Sequence, residues 1–585
     1  MIRERSAGRR GGLAQRSGAA WRAAAVAVTW CAAAAGGGDV DPAVLEAEAA
    51  RVAAVRRGSA AAVSIFAGDA GGGSGVLLTR DGYAATNFHV VQPAGPAMKC
   101  GLSDGRLYDA VLVGLDPTGD LALVRLLGRD DFPCAEMADS DSVEVGDFCF
   151  AAGNPFLLAT DLQPSISAGI VSGVHRYQFP AGTILEYTDC LQVDAAINPG
   201  NSGGGLFDAT GRLIGVNGRA SFEKRGRVNV GAGYAISTNQ VRNFLGCLKG
   251  GRICDHATLG ATVSTSAEGR VVVDDILESS DAWRRGLRYD DEIVSLAGRP
   301  VRTVNAFKNV LGTLPAGWQV PLVYRRDGRP HEILVRLAGI HPAARLAEIV
   351  TAGAGEGEPP HAAAEPVRPP LPDAIRAVYE PRPGFANHHF NAVERDRVGA
   401  AIAAFASGLP RGPWVLAGRL DGGDEYRVEL SDTVASIDLP TGTSMVAVDD
   451  ALDRDPVPAG SGGLLAALVL WRRLVIEGPV AVGGTSYWGT APRDPAALRD
   501  GAAIELVDVL ETAAAGVEAR FAVDVAGRVV AIDLWTSPDA DPCEVRFAWP
   551  RGRAASGWPA RMVVRRGGEP FGTFLIDPAA DGGAP

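Results

Sequence analysis

The sequence predicts a mainly β protein of several domains, and three observations predict it. The chain has 585 residues, room for about four domains at roughly 150 residues each. It carries 74 glycines and 37 prolines, nearly a fifth of all positions against ~12% in ordinary chains, which favours turns over long helices. Short runs rich in Val, Leu and Ile recur between Asp-Gly and similar turns, without the alternation of strands and helices that a parallel sheet needs. Hydrophobic residues at 47% and charged residues at 21% suffice to bury several cores.

The amino terminus reads as an address. Arginines at 3, 5, 9, 10, 16 and 22 precede the apolar run AAAVAVTWCAAAA (23–35), so residues 1–40 are expected to be a signal peptide or, left uncleaved, a membrane anchor. The run is shorter than the roughly 20 residues that span a bilayer. Cys31 suggests lipid attachment, but Trp30 before it is large for such a site. Residues 41–59, with PAVLEAEAARVAAVRRG, predict a short helical segment.

From 60 to 250 the strand-like runs are AAVSIFAG, SGVLLTRDGYAATNFHVV, LYDAVLVGLD, LALVRL, DFCFAAGNPF, SAGIVSGV, GRLIGVNG and GAGYAIS, and the helical spacing of NQVRNFLGCL closes the stretch. This predicts an all-β domain of sandwich or paired-barrel type. Residues 251–342 repeat the pattern in GRVVVDDIL, DEIVSLAG, VPLVYRRDG and HEILVRLAG, with SDAWRRG and TVNAFKNVLGTL as helical inserts. Residues 343–372 are dense in Gly, Ala, Glu and Pro and predict a linker. Residues 373–578 predict an antiparallel-sheet α+β domain, opened by the helix HFNAVERDRVGAAIAAFASGL and containing hairpins at Ala526-Gly527 and Gly567-Gly568. Residues 579–585 are a tail.

Lys and Arg number 56 against 68 Asp and Glu, a net charge of −12, which repels phosphate backbones and argues against nucleic acid as a partner. The eight cysteines form no CxxC pair, so neither a zinc spacing nor a dense disulfide scaffold is present. Cys247 and Cys254 are near enough to bridge, and two separate thiols fit equally well. His388 and His389 are adjacent and point in different directions in regular structure, which argues against a chelate. No metal and no cofactor is expected.

Three stretches carry chemistry: TNFHVV with His89, TGDLALVRL with Asp120, and QVDAAINPGNSGGGLFD with Ser202. A serine hydroxyl is a poor nucleophile until a base removes its proton as it attacks. An imidazole titrating near 6.5 can take that proton and return it to a leaving amine, and an aspartate on the other ring nitrogen fixes the tautomer. The glycines of Gly200-Asn201-Ser202-Gly203-Gly204 let the backbone bend so that the N–H groups of Gly200 and Ser202 converge on an oxyanion.

With SGVLLTRDGYAATNFHVV, GDLALVRL, DSVEVGDFCFAAGNPF, SAGIVSG, DAAINPGNSGG and GYAISTNQV, the stretch from about 60 to 340 resembles the HtrA/Deg proteases. The resemblance implies a trypsin-like double β-barrel over 60–250, with His89, Asp120 and Ser202 as the triad and Gly200 and Ser202 as oxyanion donors. It places Ile197 on an S1 pocket for small or medium aliphatic residues. Gly205 stands where Pro or Ala is usual.

For 251–342 the resemblance implies a PDZ domain whose carboxylate-binding loop is Leu259, Gly260 and Ala261, with Arg285 where Ala is common and Asp290 where Gly is common. The last domain resembles lipoprotein-carrier sheets, whose helix-covered face could hold an apolar ligand or a partner. The implied protein is an exported, periplasmic or envelope-associated serine endopeptidase that cleaves unfolded or damaged proteins without ATP. Its implied partners are unfolded or partly folded substrates, peptide C-termini at the PDZ domain, and further copies of itself in a homo-oligomer, a trimer. The rival reading is a non-catalytic chaperone or scaffold that binds exposed peptide segments.

Overall fold

The computed structural model describes residues 40–577 apart from 68–70, 155–160, 181–183, 223–228, 353–369, 449–450, 455, 501–503 and 551–556. The expected signal or anchor segment with Cys31, the centre of the linker and the tail lie outside the described residues. No described helix is long and apolar enough to cross a membrane.

Helix α1 runs Pro42–Ala60. Six short strands follow, Ala62–Phe66, Gly72–Leu77, Tyr83–Thr86, Ala97–Gly101, Leu107–Asp116 and Leu121–Leu126 (β1–β6), and close into a barrel in the order β1-β2-β3-β6-β5-β4. A second barrel is built from Phe148–Gly153, Ser165–Gln178, Tyr187–Val193, Gly205–Asp208, Leu213–Phe222 and Asn229–Ser237 (β7–β12), in the order β10-β11-β12-β9-β8-β7. Full closure leaves neither sheet an open edge. The one-turn helix α2 (Phe88–Val91) sits between β3 and β4. Helix α3 (Thr238–Lys249) is N-capped by Ser237, whose Oγ accepts the Gln240 N–H. Its Val241, Phe244 and Leu248, one face at helical spacing, join the core of the first barrel.

A disulfide between Cys247 and Cys254 ties the end of α3 to the segment entering the second module, which decides between the two readings open in the sequence. That module contains Ala257–Thr258, Ala261–Thr265, Val271–Ile276, Glu292–Leu296, Arg299–Pro300, Gln319–Arg326, Arg329–Arg336 and Ala338–Gly339 (β13–β20). Helices α4 (Asp281–Arg284) and α5 (Val304–Gly312) are the two expected inserts. Its main sheet runs β14-β15-β16-β18-β19, leaving β14 at an edge.

The second module is docked tightly on the barrels. A Cβ on Gly312 of α5 would fall 2.2 Å from Thr188 Cγ2 on β9, so the helix backbone rests directly on that strand. Arg299 grips Asp189 with both guanidinium nitrogens, at 2.8 and 2.9 Å. Asn309 accepts the Asp189 N–H at 2.9 Å and donates to the His175 carbonyl at 2.7 Å. His256, before β13, pairs its Nε2 with Asp116 Oδ2 at 2.8 Å, both side chains buried.

The linker expectation needs correction at its start. Residues Ala343–Ala352 form helix α6, because Leu346, Ile349 and Val350 recur at helical spacing, and the first two are buried. Composition averaged over thirty residues hid this turn behind the prolines further on.

After α7 (Asp373–Arg376) and α8 (His388–Ala406) come β21–β24 (Trp414–Leu420, Glu425–Leu430, Val434–Leu439, Gly442–Ala447) and helix α9 (Leu464–Glu477). Strands β25–β31 (Ser486–Pro492, Leu506–Ala514, Val517–Val523, Val529–Trp535, Cys543–Ala548, Arg561–Arg566, Glu569–Ile576) complete one antiparallel sheet of 11 strands. Helix α9 packs on its apolar face, with eleven of its 14 residues buried, among them Trp471 against Phe547 and Trp414.

This sheet is not a separable appendage, as a linker before it suggested. Arg252 donates to the Tyr487 carbonyl and Ser486 Oγ at 2.8 and 2.9 Å. Asn391 Nδ2 bridges the carbonyls of Gly250 and Tyr487, and Trp318 Nε1 donates to the Thr490 carbonyl at 2.8 Å. Arg336 pairs with Asp533 at 2.8 Å, and Arg285 pairs with Asp541. Arg285, unusual against the family pattern, therefore holds the carboxy-terminal sheet. Asp290, the other departure, has φ 63, the left-handed conformation that a glycine adopts without strain.

Candidate active site

His89 lies on α2, in the first barrel. The Asn87 Nδ2 and Phe88 N–H groups both donate to the Asp120 carbonyl, at 3.0 and 3.2 Å, so the histidine turn is fastened to the turn that carries the acid. That turn, between β5 and β6, is braced by Asp116 Oδ1 accepting the Gly119 N–H at 2.8 Å. Asp120 itself has φ 56 and is wholly buried. Its Oδ1 accepts the His89 backbone N–H at 3.0 Å, and its Oδ2 lies 2.7 Å from His89 Nδ1.

The buried carboxylate orients an imidazole that stays open on its other side, the His89 side chain being 40% exposed. Desolvation opposes protonation of the ring, but the charge of Asp120 and its hydrogen bond more than offset it and hold the pKa above the ordinary 6.5.

Ser202 stands in the turn before β10, in the second barrel, and both barrels hold that turn. From β2, the Ser74 N–H donates to the Ser202 carbonyl at 2.9 Å and the Ser74 Oγ to the Gly200 carbonyl at 2.6 Å. From β11, the Asn217 carbonyl accepts the Gly203 N–H at 2.7 Å. Gly203 has φ +84, and a Cβ there would fall 2.2 Å from the Ser74 carbonyl oxygen, so only glycine fits. Among the described residues neither the Gly200 nor the Ser202 N–H donates to a protein acceptor. The Ser202 hydroxyl donates to the Gly218 carbonyl at 3.2 Å.

The remaining expected site residues lie as follows. Ile197 is buried in the core cluster of the second barrel, where its Cγ1 lies 2.5 Å from where a Gly233 Cβ would be. Leu259 is buried, Gly260 has φ +71, and Ala261 opens the edge strand β14. The Gly260 N–H donates to Thr258 Oγ1 at 3.1 Å. Among the described residues the one group able to hold a cation is Asp141, His175 and Asp189, and Arg299 already occupies the Asp189 carboxylate. Sequence reasoning missed Tyr187, whose hydroxyl donates to Asp120 Oδ2, and Ser74, whose hydroxyl pins the Ser202 turn. Neither has a local signal.

Residues 73–216 match the trypsin-like peptidase domain and residues 257–337 the PDZ domain. This part of the chain carries a trypsin-like peptidase domain and a PDZ domain and is similar to the HtrA/Deg serine endoproteases. The periplasmic serine endoprotease DegP of Escherichia coli (strain K12) is 37% identical over 277 residues, 45% of this chain and 56% of DegP. A probable periplasmic DegP-like serine endoprotease of Chlamydia trachomatis serovar D is 34% identical over 284 residues, 46% of this chain and 55% of that protein. The chain thus spans a little over half the length of these HtrA/Deg relatives. Among solved structures, the HtrA-type protease AlgW with tripeptide is 30% identical, covering 50% of this chain and 98% of that one, with a TM-score of 0.42.

Proposed function

We propose that this protein is a serine endopeptidase of the HtrA/Deg type that cleaves unfolded or damaged protein chains without ATP. The observation that carries the reading is the buried Asp120 carboxylate locked on Nδ1 of a half-open His89, together with a glycine turn whose Gly200 and Ser202 N–H groups donate to no described protein acceptor.

The residues divide the reaction among them. Ser202 Oγ leaves the Gly218 carbonyl, passes its proton to His89 Nε2 and bonds to the substrate carbonyl carbon. The Gly200 and Ser202 N–H groups stabilise the oxyanion, and Asp120 stabilises the imidazolium. Collapse breaks the C–N bond as His89 returns the proton to the amine, leaving an acyl-Ser202 ester that water, deprotonated by His89, then hydrolyses. Ile197 sets the small or medium aliphatic preference. The loop Leu259-Gly260-Ala261 beside edge strand β14 takes peptide C-termini by strand addition.

Residues 60–250 supply catalysis, 251–342 substrate capture, 343–372 the connection, and 373–578 an α+β domain seated on the other two. The basic and apolar first 40 residues direct export to the periplasm or envelope, by cleavage or as an anchor, and the protein assembles as a homo-trimer. Incubation of the purified chain with reduced, unfolded casein tests the activity. Wild type should yield peptides, while Ser202→Ala should lose several orders of magnitude in turnover and keep its melting temperature. Near-normal cleavage by Ser202→Ala, free of contaminating protease, would replace this reading with the peptide-binding scaffold.

A further inference from the structure

Asp120 is held from three directions, and one of them crosses between barrels. The His89 N–H and Nδ1 reach it from the first barrel, and the Tyr187 hydroxyl, from the start of β9 in the second barrel, donates to its Oδ2. Tyr187 is 2% exposed. Its ring packs against Gly218: a Cβ on that glycine would fall 2.3 Å from Cε1 and 2.8 Å from the phenol oxygen. Gly218 is the residue whose carbonyl holds the Ser202 hydroxyl. One buried side chain therefore touches both the acid that orients the base and the strand that positions the nucleophile.

Asn217, the neighbouring polar residue, is committed elsewhere, its Nδ2 donating to the Gly205 carbonyl. The charged groups around this site are paired apart from it. Glu186 takes the Tyr177 hydroxyl, Asp189 takes Arg299 and His175, and Asp116 takes His256. Tyr187 is thus the one described side chain beyond His89 that donates to the Asp120 carboxylate.

We propose that Tyr187 is a positioning residue of the peptidase, its phenol fixing the plane of the Asp120 carboxylate and holding the His89–Asp120 pair in register with the strand behind Ser202. This rests on the serine-peptidase reading. Phenylalanine would supply the same packing, so the hydroxyl is what the proposal singles out. Without that donor more negative charge stays on Oδ2, the imidazolium is favoured, and the carboxylate is free to rotate.

The test uses the full chain, a chromogenic peptide amide, and pH profiles of kcat and KM. For Tyr187→Phe, kcat should fall about tenfold, the worth of a hydrogen bond to a charged group. KM should stay within about twofold because the phenol touches no substrate. The acid limb of kcat should move to higher pH. Site-specific 3-fluorotyrosine in place of Tyr187 keeps the ring and donates more strongly, so its limb should move to lower pH; this arm decides the matter if Tyr187→Phe fails to fold.

Unchanged kcat and unchanged limbs in the folded variants of a wild type that cleaves would overturn the role of Tyr187 alone. A wild type that neither cleaves nor is labelled at Ser202 by an organophosphonate would overturn the peptidase reading, and this proposal with it.

Discussion

Replacing His256 by alanine should destabilise the junction between the first barrel and the PDZ domain, by an amount that depends on pH. His256 and Asp116 are 1% and 0% exposed, and Nε2 lies 2.8 and 3.0 Å from the two carboxylate oxygens. The Phe244 ring packs 4.5 Å from the imidazole. Removing one partner of such a pair leaves a buried charge uncompensated and costs about 3–5 kcal/mol. Asp116 also braces Gly119 beside Asp120, so peptidase turnover should fall together with stability.

Burial alone would lower the His256 pKa, but Asp116, with Asp255 and Glu186, raises it above 6.5. A group whose pKa rises on folding contributes its full stability below about 6.5, and that contribution is lost as pH climbs through the raised value. Urea unfolding followed by tryptophan fluorescence should therefore show the widest gap between wild type and His256→Ala near about pH 5.5 and a narrower one near about pH 8.5. A gap below about 1 kcal/mol, or one that does not change with pH, would refute the buried charged pair.

Three further outcomes follow from the catalytic pair and the domain interface. The raised pKa of His89 places the acid limb of kcat/KM above about pH 6.5, activity being lost as pH falls and the base protonates, and Asp120→Asn should cost on the order of 10⁴ in turnover; an inflection below the ordinary histidine value, or a fully active Asp120→Asn, would contradict this. Protease clipping within residues 353–369 should leave two fragments that still co-elute on gel filtration, with Arg285→Ala plus Arg336→Ala separating them; wild-type halves that part in native buffer would show that the interface is weak.

The legible part of the site shares one property. His89, Asp120 and Ser202 each sit in a turn whose glycines, asparagines and flanking apolar strands are contiguous, so type and spacing reveal them. The hairpins at Ala526-Gly527 and Gly567-Gly568 were readable for the same reason, and they join β27 to β28 and β30 to β31. Helix α9 has no such signal: with eleven of 14 residues buried, it lacks the polar face from which periodicity is read. Helix α6 was obscured by the composition of the segment that follows it.

The sequence by itself determined a turn-rich β chain and the three residues proposed for catalysis, and its resemblance to the HtrA/Deg proteases implied the two barrels with their PDZ companion, because the motifs that carry these readings are written in patterns a few residues long. Tertiary structure alone decided the Cys247–Cys254 bridge, the His256–Asp116 pair, the reach of Tyr187 across the barrels, and the seating of the 11-stranded sheet by Arg252, Arg285 and Arg336. Most of these contacts join residues more than 60 positions apart. Even the short disulfide needed the end of α3 and its exit turned toward each other. Local pattern fixes which way a side chain leaves its own strand or helix, but what it meets there depends on how the barrels close and the domains dock.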